Sequence, residues 1–262
     1  VRHGDGKRWY LNAANYSDEL LFTASRVKFI RDFIPSVTGA GKRWLKVIDR
    51  GLARAPRLTR VVGRATSARM KKDHFGQVVP IEEVERILAM VGQVARVPCV
   101  CRQALLGREE ATCYLLAANP DRLGMVEIMG SRPEAEPFVA GIERVAADLA
   151  LAEMRALEAK GCIHTVWTFV TPFVMAVCNC DPAGCLAMNY TRRGFKFYFP
   201  AEEVASVDSA ACSGCRECAR ICLFSAVSFS ESGAARIDPQ LCQGCGICRS
   251  VCGTDAIALS PR

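Results

Sequence analysis

The sequence contains no apolar run long enough to cross a bilayer. Its most hydrophobic stretch, Thr165 to Val177, is 13 residues with Pro172 inside it, against about 20 for a spanning helix. Val1 to Leu20 is charged and polar without an apolar h-region, so the expectation is a chain kept in the reducing cytoplasm. No G-x-G-x-x-G follows a strand pattern, and P-loop, G-x-S-x-G and H-E-x-x-H motifs are also missing. These absences set aside the familiar nucleotide, acyl-transfer and zinc-hydrolase sites. At 50% hydrophobic and 23% charged residues, the chain is not disordered, collagenous or low in complexity.

Basicity is local. The formal charge is +7, yet residues 42–72 alone carry eleven Lys/Arg against one Asp, which leaves the rest of the chain slightly acidic. Trp44, Leu45, Val47, Ile48, Leu52, Leu58, Val61 and Val62 are interleaved with those cations, as on an amphipathic helix with a basic face. Solvation is the plain reading of such a face. Nucleic acid finds no accompanying recognition fold and ranks last, contact with an anionic membrane surface stays open, and docking of an acidic redox partner is favoured because complementary charge speeds encounter.

Cysteine is abundant: 15 residues. The odd number and the close C-x-C and C-x-x-C spacings argue for metal rather than a secreted disulfide framework. Val207 to Val227 overlays Ile237 to Ile257 at a constant offset of 30, so Asp208 meets Asp238, Ala226 meets Ala256, and Cys212, Cys215, Cys218 and Cys222 meet Cys242, Cys245, Cys248 and Cys252. Each half reads C-x-x-C-x-x-C-x-x-x-C, the run that holds cubane iron–sulfur clusters. Two-residue gaps aim three thiolates at one cube, and the fourth cysteine, a helical turn on, points away. The alternative is a pair of zinc knuckles, against which stand the missing histidines and the short gap between pairs.

On these residues Asp208 to Leu259 resembles a bacterial dicluster ferredoxin of the 2 × 4Fe-4S type. The resemblance implies one cluster on Cys212, Cys215, Cys218 and Cys252 and a second on Cys242, Cys245, Cys248 and Cys222, held in two pseudo-twofold-related units. Leu223 and Gly253 stand where that family usually has proline after the fourth cysteine. Two oxidised cubanes would lower the formal +7 to about +3, giving an acidic ferredoxin face as a second docking surface for a redox partner.

Cys99, Cys101, Cys113, Cys178, Cys180 and Cys185 form two further groups, each a C-x-C pair with a third cysteine downstream. An extended C-x-C puts both side chains on one face, so the two groups can converge on a third centre. An iron–sulfur cluster is preferred there over zinc, with core thiols or a redox disulfide as the metal-free alternatives; which four thiolates bind is left open. Cys162 is read as a buried small hydrophobe and His164 as a core histidine. Arg102, beside Cys101, is placed to offset the negative charge of a cluster or bind an anionic substrate, with a salt bridge to Glu109 or Glu110 as the equal alternative, and receives no catalytic role. Pro98 to Arg102, Gly161 to His164 and Cys178 to Cys180 also resemble elements of a group of anaerobe iron–sulfur proteins in which P-C-x-C-R and G-x-x-H…C-N-C motifs precede a dicluster ferredoxin domain. That resemblance, over about Val78 to Leu259, implies paired use of the two C-x-C elements.

Helical period runs through Ile81, Val84, Ile87, Leu88, Val91 and Val94 after Pro80, and again from Glu136 to Lys160 (Phe138, Ile142, Val145, Leu149, Ala152, Leu157) before Gly161. His164 to Val177 is β-branched and aromatic. The expected fold class is α+β: a basic N-terminal extension with an amphipathic helix (1–77), a mainly helical domain with cysteine-bearing loops (78–200) and a small dicluster ferredoxin domain (201–262). The expected function is single-electron transfer through two 4Fe-4S clusters, to or from a third centre or a partner redox enzyme. The alternative is an oxidoreductase whose N-terminal metal or cofactor site is the catalytic centre.

Overall fold

The structure is a computed structural model that describes residues 7–51, 54–130 and 135–262. Helices and strands alternate along it. After two short 3-10 turns, Trp9–Leu11 and Ala13–Tyr16, come α1 (Asp18–Leu21), α2 (Ala24–Ser36), α3 (Lys42–Arg50) and α4 (Pro56–Asp73), with a π-helical turn, Val37–Gly41, joining α2 to α3. There follow β1 (Gly76–Val79), α5 (Ile81–Met90), β2 (Gln93–Val97), α6 (Val100–Leu106), β3 (Cys113–Ala117), α7 (Gly124–Met129), α8 (Glu136–Ala140), β4 (Glu143–Val145), α9 (Ala147–Ala159), β5 (Ile163–Thr168), β6 (Val174–Cys180), α10 (Leu186–Arg192) and β7 (Tyr198–Phe199). The tail adds β8 (Glu203–Val207), α11 (Glu217–Ile221), β9 (Val227–Phe229), β10 (Ala235–Ile237), α12 (Ile247–Ser250) and β11 (Ile257–Pro261).

Seven strands form one sheet in the order β4-β2-β3-β6-β5-β1-β7, antiparallel except for the last pair. Because side chains alternate across a strand, the sheet has two buried faces. Tyr114, Leu116, Val166, Val177 and Val79 pack against α5 and α9. Cys113, Leu115, Ile163, Trp167, Ala176 and Cys180 look the other way, toward α2, α7, α10 and the tail. Residues ahead of position 78 belong to this body, since Tyr10 and Tyr16 lie in the first core and Ile30 and Ile34 in the second.

The sheet is where periodicity misleads. The helix expected through Val94 stops at Met90, and residues 93–97 become β2 between β3 and β4. A Cβ on Gly92 would stand 2.2 Å from the Ala118 carbonyl oxygen, so the chain passes there only as glycine, and Val94 and Val97 gain ladder partners. The helix expected over Glu136–Lys160 is divided into α8, β4 and α9. Gly141 lies against Pro98, and β4 completes the edge of the sheet. Cysteines expected on loops stand on strands: Cys113 on β3, Cys178 and Cys180 on β6. The basic segment forms two helices, α3 and α4, rather than one. Leu45 and Ile48 are buried, whereas Trp44, Val47, Leu58 and Val61 are exposed. Leu52 lies outside the described residues.

The tail is bound to the sheet domain by Gln77, whose side-chain amide donates to Glu202 Oε1 at 2.8 Å, by the Arg249–Glu82 ion pair and by Arg192, which donates to the Leu223 carbonyl at 3.3 Å. Further polar groups close it on itself. The Ala201 amide donates to the Gln243 carbonyl at 2.9 Å, and Arg262 donates to the carbonyls of Pro239 and Cys242, at 2.8 and 2.7 Å. Cys245 and Ile247 enter the same apolar core as Cys180, Cys185 and Tyr198. Among the described residues no helix is long and apolar enough to cross a membrane.

Candidate metal centres

In the tail the repeated residues have repeated local roles. The Asp208 amide donates to the Ala256 carbonyl and the Asp238 amide to the Ala226 carbonyl, both at 2.8 Å. The two aspartate side chains accept from the amides two residues on, Ala210 and Gln240. Each Asx turn launches a ligand loop, which accounts for Asp and Ala recurring along with the cysteines. Gly214 and Gly244 hold left-handed backbone (φ +70° and +67°) inside those loops. Backbone amides reach sulfur: Ala235 N–H to Cys212 Sγ and Gly244 N–H to Cys242 Sγ, each 3.4 Å. Such donors stabilise thiolate rather than thiol.

A small cavity is lined by Cys212, Cys215, Cys218 and Cys252 together, with Gly214 beside them. The first three belong to one repeat and the fourth to the other. Cys245 lies within electrostatic range of Cys248, Cys242 and Cys222, and Cys248 within range of Cys242, Cys222 and Cys218. Burial pushes the Cys248 thiol up to about 12, with Cys242 and Cys222 adding to it, and Cys245 is driven upward by burial as well. These free thiols resist ionisation until a cation compensates the charge. Cys215 is exposed and Cys245 buried.

The six upstream cysteines also meet. One cavity of about 430 Å³ is lined by Cys99, Cys101, Cys113, Cys178, Cys180 and Cys185. Cys113 and Cys178 are cross-strand partners in the β3–β6 ladder, and Cys178 and Cys180 share a face of β6 because they are two residues apart. Cys99 caps the start of α6, Cys101 sits in its first turn and Cys185 caps α10. Cys99, Cys101, Cys113, Cys180 and Cys185 each titrate under the influence of their neighbours, in the succession Cys178–Cys113–Cys99–Cys101–Cys185–Cys180. Cys99 is pushed well below the ordinary thiol range by hydrogen bonds from Cys101 and Cys113. Cys101 rises through its bonds to Cys185 and Cys99, and Cys113 through those to Cys178 and Cys99. All fifteen cysteines are unpaired thiols. Among the described residues no three His, Cys, Asp or Glu converge on a single-ion site in either region.

Cys162 is buried but does not line this cavity; its Sγ lies 3.9 Å from Arg102 Nη2. His164 is fully buried, its Nδ1 2.6 Å from Asn179 Oδ1 and its Nε2 3.9 Å from Glu158 Oε2. Arg102 does more than its expected surface pairing. It is buried beside Cys101, reaches Glu110 at 3.5 Å and Asp181 at 2.5 Å, and donates to Thr112 Oγ1 and the Asn179 carbonyl. Burial opposes its charge and Asp181 more than restores it. Arg102 therefore ties one C-x-C element to the other. Arg102→Gln is expected to lower stability by about 3 kcal/mol, because Asp181 loses its partner in a mostly buried site. Arg102→Lys should recover less than half, since one ammonium cannot span the same fork of acceptors. Anaerobic urea denaturation of the three proteins measures both.

Sequence spacing pointed to the cysteines but not to the rest of the cavity wall. Phe29, Phe33, His74, Trp167, Phe169 and Phe197 line it, and nothing in their separations along the chain announces a common site.

Residues 235–258, which run from β10 into β11, match the family model of the 4Fe-4S binding domain. The chain thus carries a 4Fe-4S ferredoxin-type domain at its C-terminal end, within an α+β architecture, and with it an iron–sulfur electron-transfer role. A comparison with curated proteins found no relative of the chain.

Proposed function

We propose that this protein passes single electrons through two 4Fe-4S clusters in residues 201–262, to or from a third cysteine-ligated centre in residues 78–200 and a partner redox enzyme. The observation that carries the reading is the cavity that brings Cys252 of the second repeat to Cys212, Cys215 and Cys218 of the first; the 30-residue offset implies the reciprocal set with Cys222. The pairing of Val207 with Ile257 and of Ile237 with Val227 supports a pseudo-twofold relation, because the 30-residue offset exchanges the two pairs. A bound 4Fe-4S cluster supplies a one-electron couple at nearly constant geometry. The chain supplies thiolates, amide donors to sulfur and, around Cys245, a dry environment.

The third centre rests on six thiols facing one cavity. An iron–sulfur cluster suits all-thiolate ligation next to a ferredoxin domain; zinc is the competing metal. Tyr198 is buried in the core shared by Cys180, Cys185 and Cys245 and lies within electrostatic range of all three, so it joins the thiol cavity to the tail. The exposed Trp44, Val47, Leu58 and Val61 on the basic helices α3 and α4 suit docking of an acidic redox partner, and a reducing cytoplasm suits fifteen free thiols.

Anaerobic metal and sulfide analysis tests the reading. About 12 iron atoms per chain are expected, and Cys101→Ser/Cys180→Ser should reduce this to about 8. A wild-type value of 8 iron without zinc would remove the third centre, and colourless protein containing only zinc would remove the electron-transfer proposal. The cavity favours one second reading, an oxidoreductase that turns over a substrate beside the third centre.

A further inference from the structure

The cysteine cavity is larger and differently lined than metal ligation requires. Its floor is one face of the sheet, and the register orders that face. Trp167 pairs with Ala176, Thr165 with Cys178 and Ile163 with Cys180, while Leu115 pairs with Ala176 and Cys113 with Cys178. Moving along β6 from Ala176 to Cys180, about 13 Å at the usual strand rise, the lining changes from aromatic and aliphatic to thiol. The chamber thus has two ends.

At the first end His74 stacks on Trp167, with ring centroids 4.9 Å apart and an interplanar angle of 26°. Phe33 and Phe169 meet the His74 ring edge-on at 4.8 and 4.7 Å. His74 Nδ1–H donates to the Thr168 carbonyl at 2.6 Å. Burial pushes this histidine down to about 4, so it is neutral at pH 7. The charged groups on the lining are Arg102 and Asp181, and they are paired with each other. Ser36, Val37, Ala40 and Gly41, from the end of α2 and the π-helical turn, complete the wall. Trp44, which lines the cavity and is 58% exposed, marks its rim. The volume falls in the range of small-molecule sites, about 300–1,000 Å³, and irregular π-turns recur at such sites.

We propose that this chamber binds a neutral, planar aromatic molecule, held between the His74–Trp167 stack and the thiol end and admitted past Trp44. Neutrality follows from the aromatic end, whose wall of Phe29, Phe33, His74, Trp167 and Phe169 holds no charged side chain, since an ion placed there would lose its hydration without a counter-charge. Planarity follows from ring faces and edges that favour stacked or edge-on aromatic partners over saturated ones. A redox role for the ligand rests on the third-centre reading; the binding itself does not.

The test is isothermal titration calorimetry of the anaerobically purified full chain with 2-naphthol, 2-naphthoate and decahydro-2-naphthol, paired with an iron count on the same sample. Saturable binding of one 2-naphthol per chain is expected, at least tenfold tighter than 2-naphthoate and several-fold tighter than the saturated alcohol. Ala40→Trp, at a half-buried wall position, should weaken 2-naphthol at least tenfold with iron content unchanged. Ser36→Trp, at an exposed wall position, replaces it if the first variant does not fold. Absence of saturable 2-naphthol binding, equal affinity for the naphthoate, or indifference to a folded wall variant overturns the proposal. Naphthol binding with 8 iron atoms keeps the chamber and removes the third centre, whereas 12 iron atoms without binding does the reverse.

Discussion

Cys222→Ser is expected to damage the cluster site of the opposite repeat more than its own. Cys252 lines the cavity of Cys212, Cys215 and Cys218, and Cys222 does not; Cys222 lies within electrostatic range of both Cys245 and Cys248, Cys218 of Cys248. Cys218 lies in α11, and Cys222 closes that helix in extended conformation. Anaerobically purified Cys222→Ser should lose up to about four iron atoms per chain, the content of one cubane. The loss should include the signal of the buried, Cys245-side cluster in low-temperature EPR of the reduced protein. Cys252→Ser should spare that signal and remove the other. If each substitution instead abolished the cluster of its own repeat, the crossed ligation proposed for the tail would be wrong.

The same asymmetry bears on robustness. Cys215 is exposed while Cys242, Cys245 and Cys248 are buried, and oxidative attack on thiolate and iron follows access. On brief exposure to air, the EPR signal abolished by Cys252→Ser is expected to decay before the signal abolished by Cys222→Ser. Simultaneous decay would show that the burial difference does not control access.

What was legible from sequence, and what was not, follows from the range of the interactions involved. Cubane spacing is local: three thiols within seven residues must share a loop, and the offset of 30 duplicates every constraint, down to Asp208 and Asp238. The 4Fe-4S domain match over 235–258 falls on one of these runs. The seven-stranded sheet is nonlocal. Gln93 to Val97 continues the helical period of α5, but its alternation also suits a strand, and only the β3 and β4 partners decide between them. Glu136 to Lys160 posed the same ambiguity at Gly141. Convergence of the two C-x-C groups could be anticipated as an arrangement of paired elements, but its agents could not. Cys113 meets Cys178 through sheet register, and Arg102 bridges to Asp181 across nearly 80 positions. The aromatic end of the chamber draws on Phe29 in α2, His74 just after α4 and Trp167 in β5, which share no period.

Gly244→Ala should be among the most damaging single-methyl additions in the tail. Gly244 carries φ +67°, and a Cβ there would stand 2.1 Å from the Glu203 carbonyl oxygen and 2.9 Å from Ala201 Cβ. Neither neighbour can yield cheaply, because Glu203 is in the β8–β11 ladder and the Ala201 amide is bonded to Gln243. Left-handed backbone costs about 1–2 kcal/mol for an alanine, and overpacking adds about 1–3 kcal/mol. A total near 3 kcal/mol is a large share of the roughly 5–15 kcal/mol that holds a domain folded. The Gly244 amide also donates to Cys242 Sγ, so displacement of this loop should shift the reduction potential of the adjoining cluster as well. Gly214→Ala is the graded comparison, with similar φ but its nearest contact, the Gly233 carbonyl oxygen, at 3.1 Å. Gly253→Ala, where a Cβ meets nothing within 4 Å, is expected to stay within about 0.5 kcal/mol of wild type. Anaerobic denaturation should therefore rank the three as Gly253→Ala, Gly214→Ala, Gly244→Ala in increasing order of damage. Equal stability of the first and last would mean that the second ligand loop does not pack against β8.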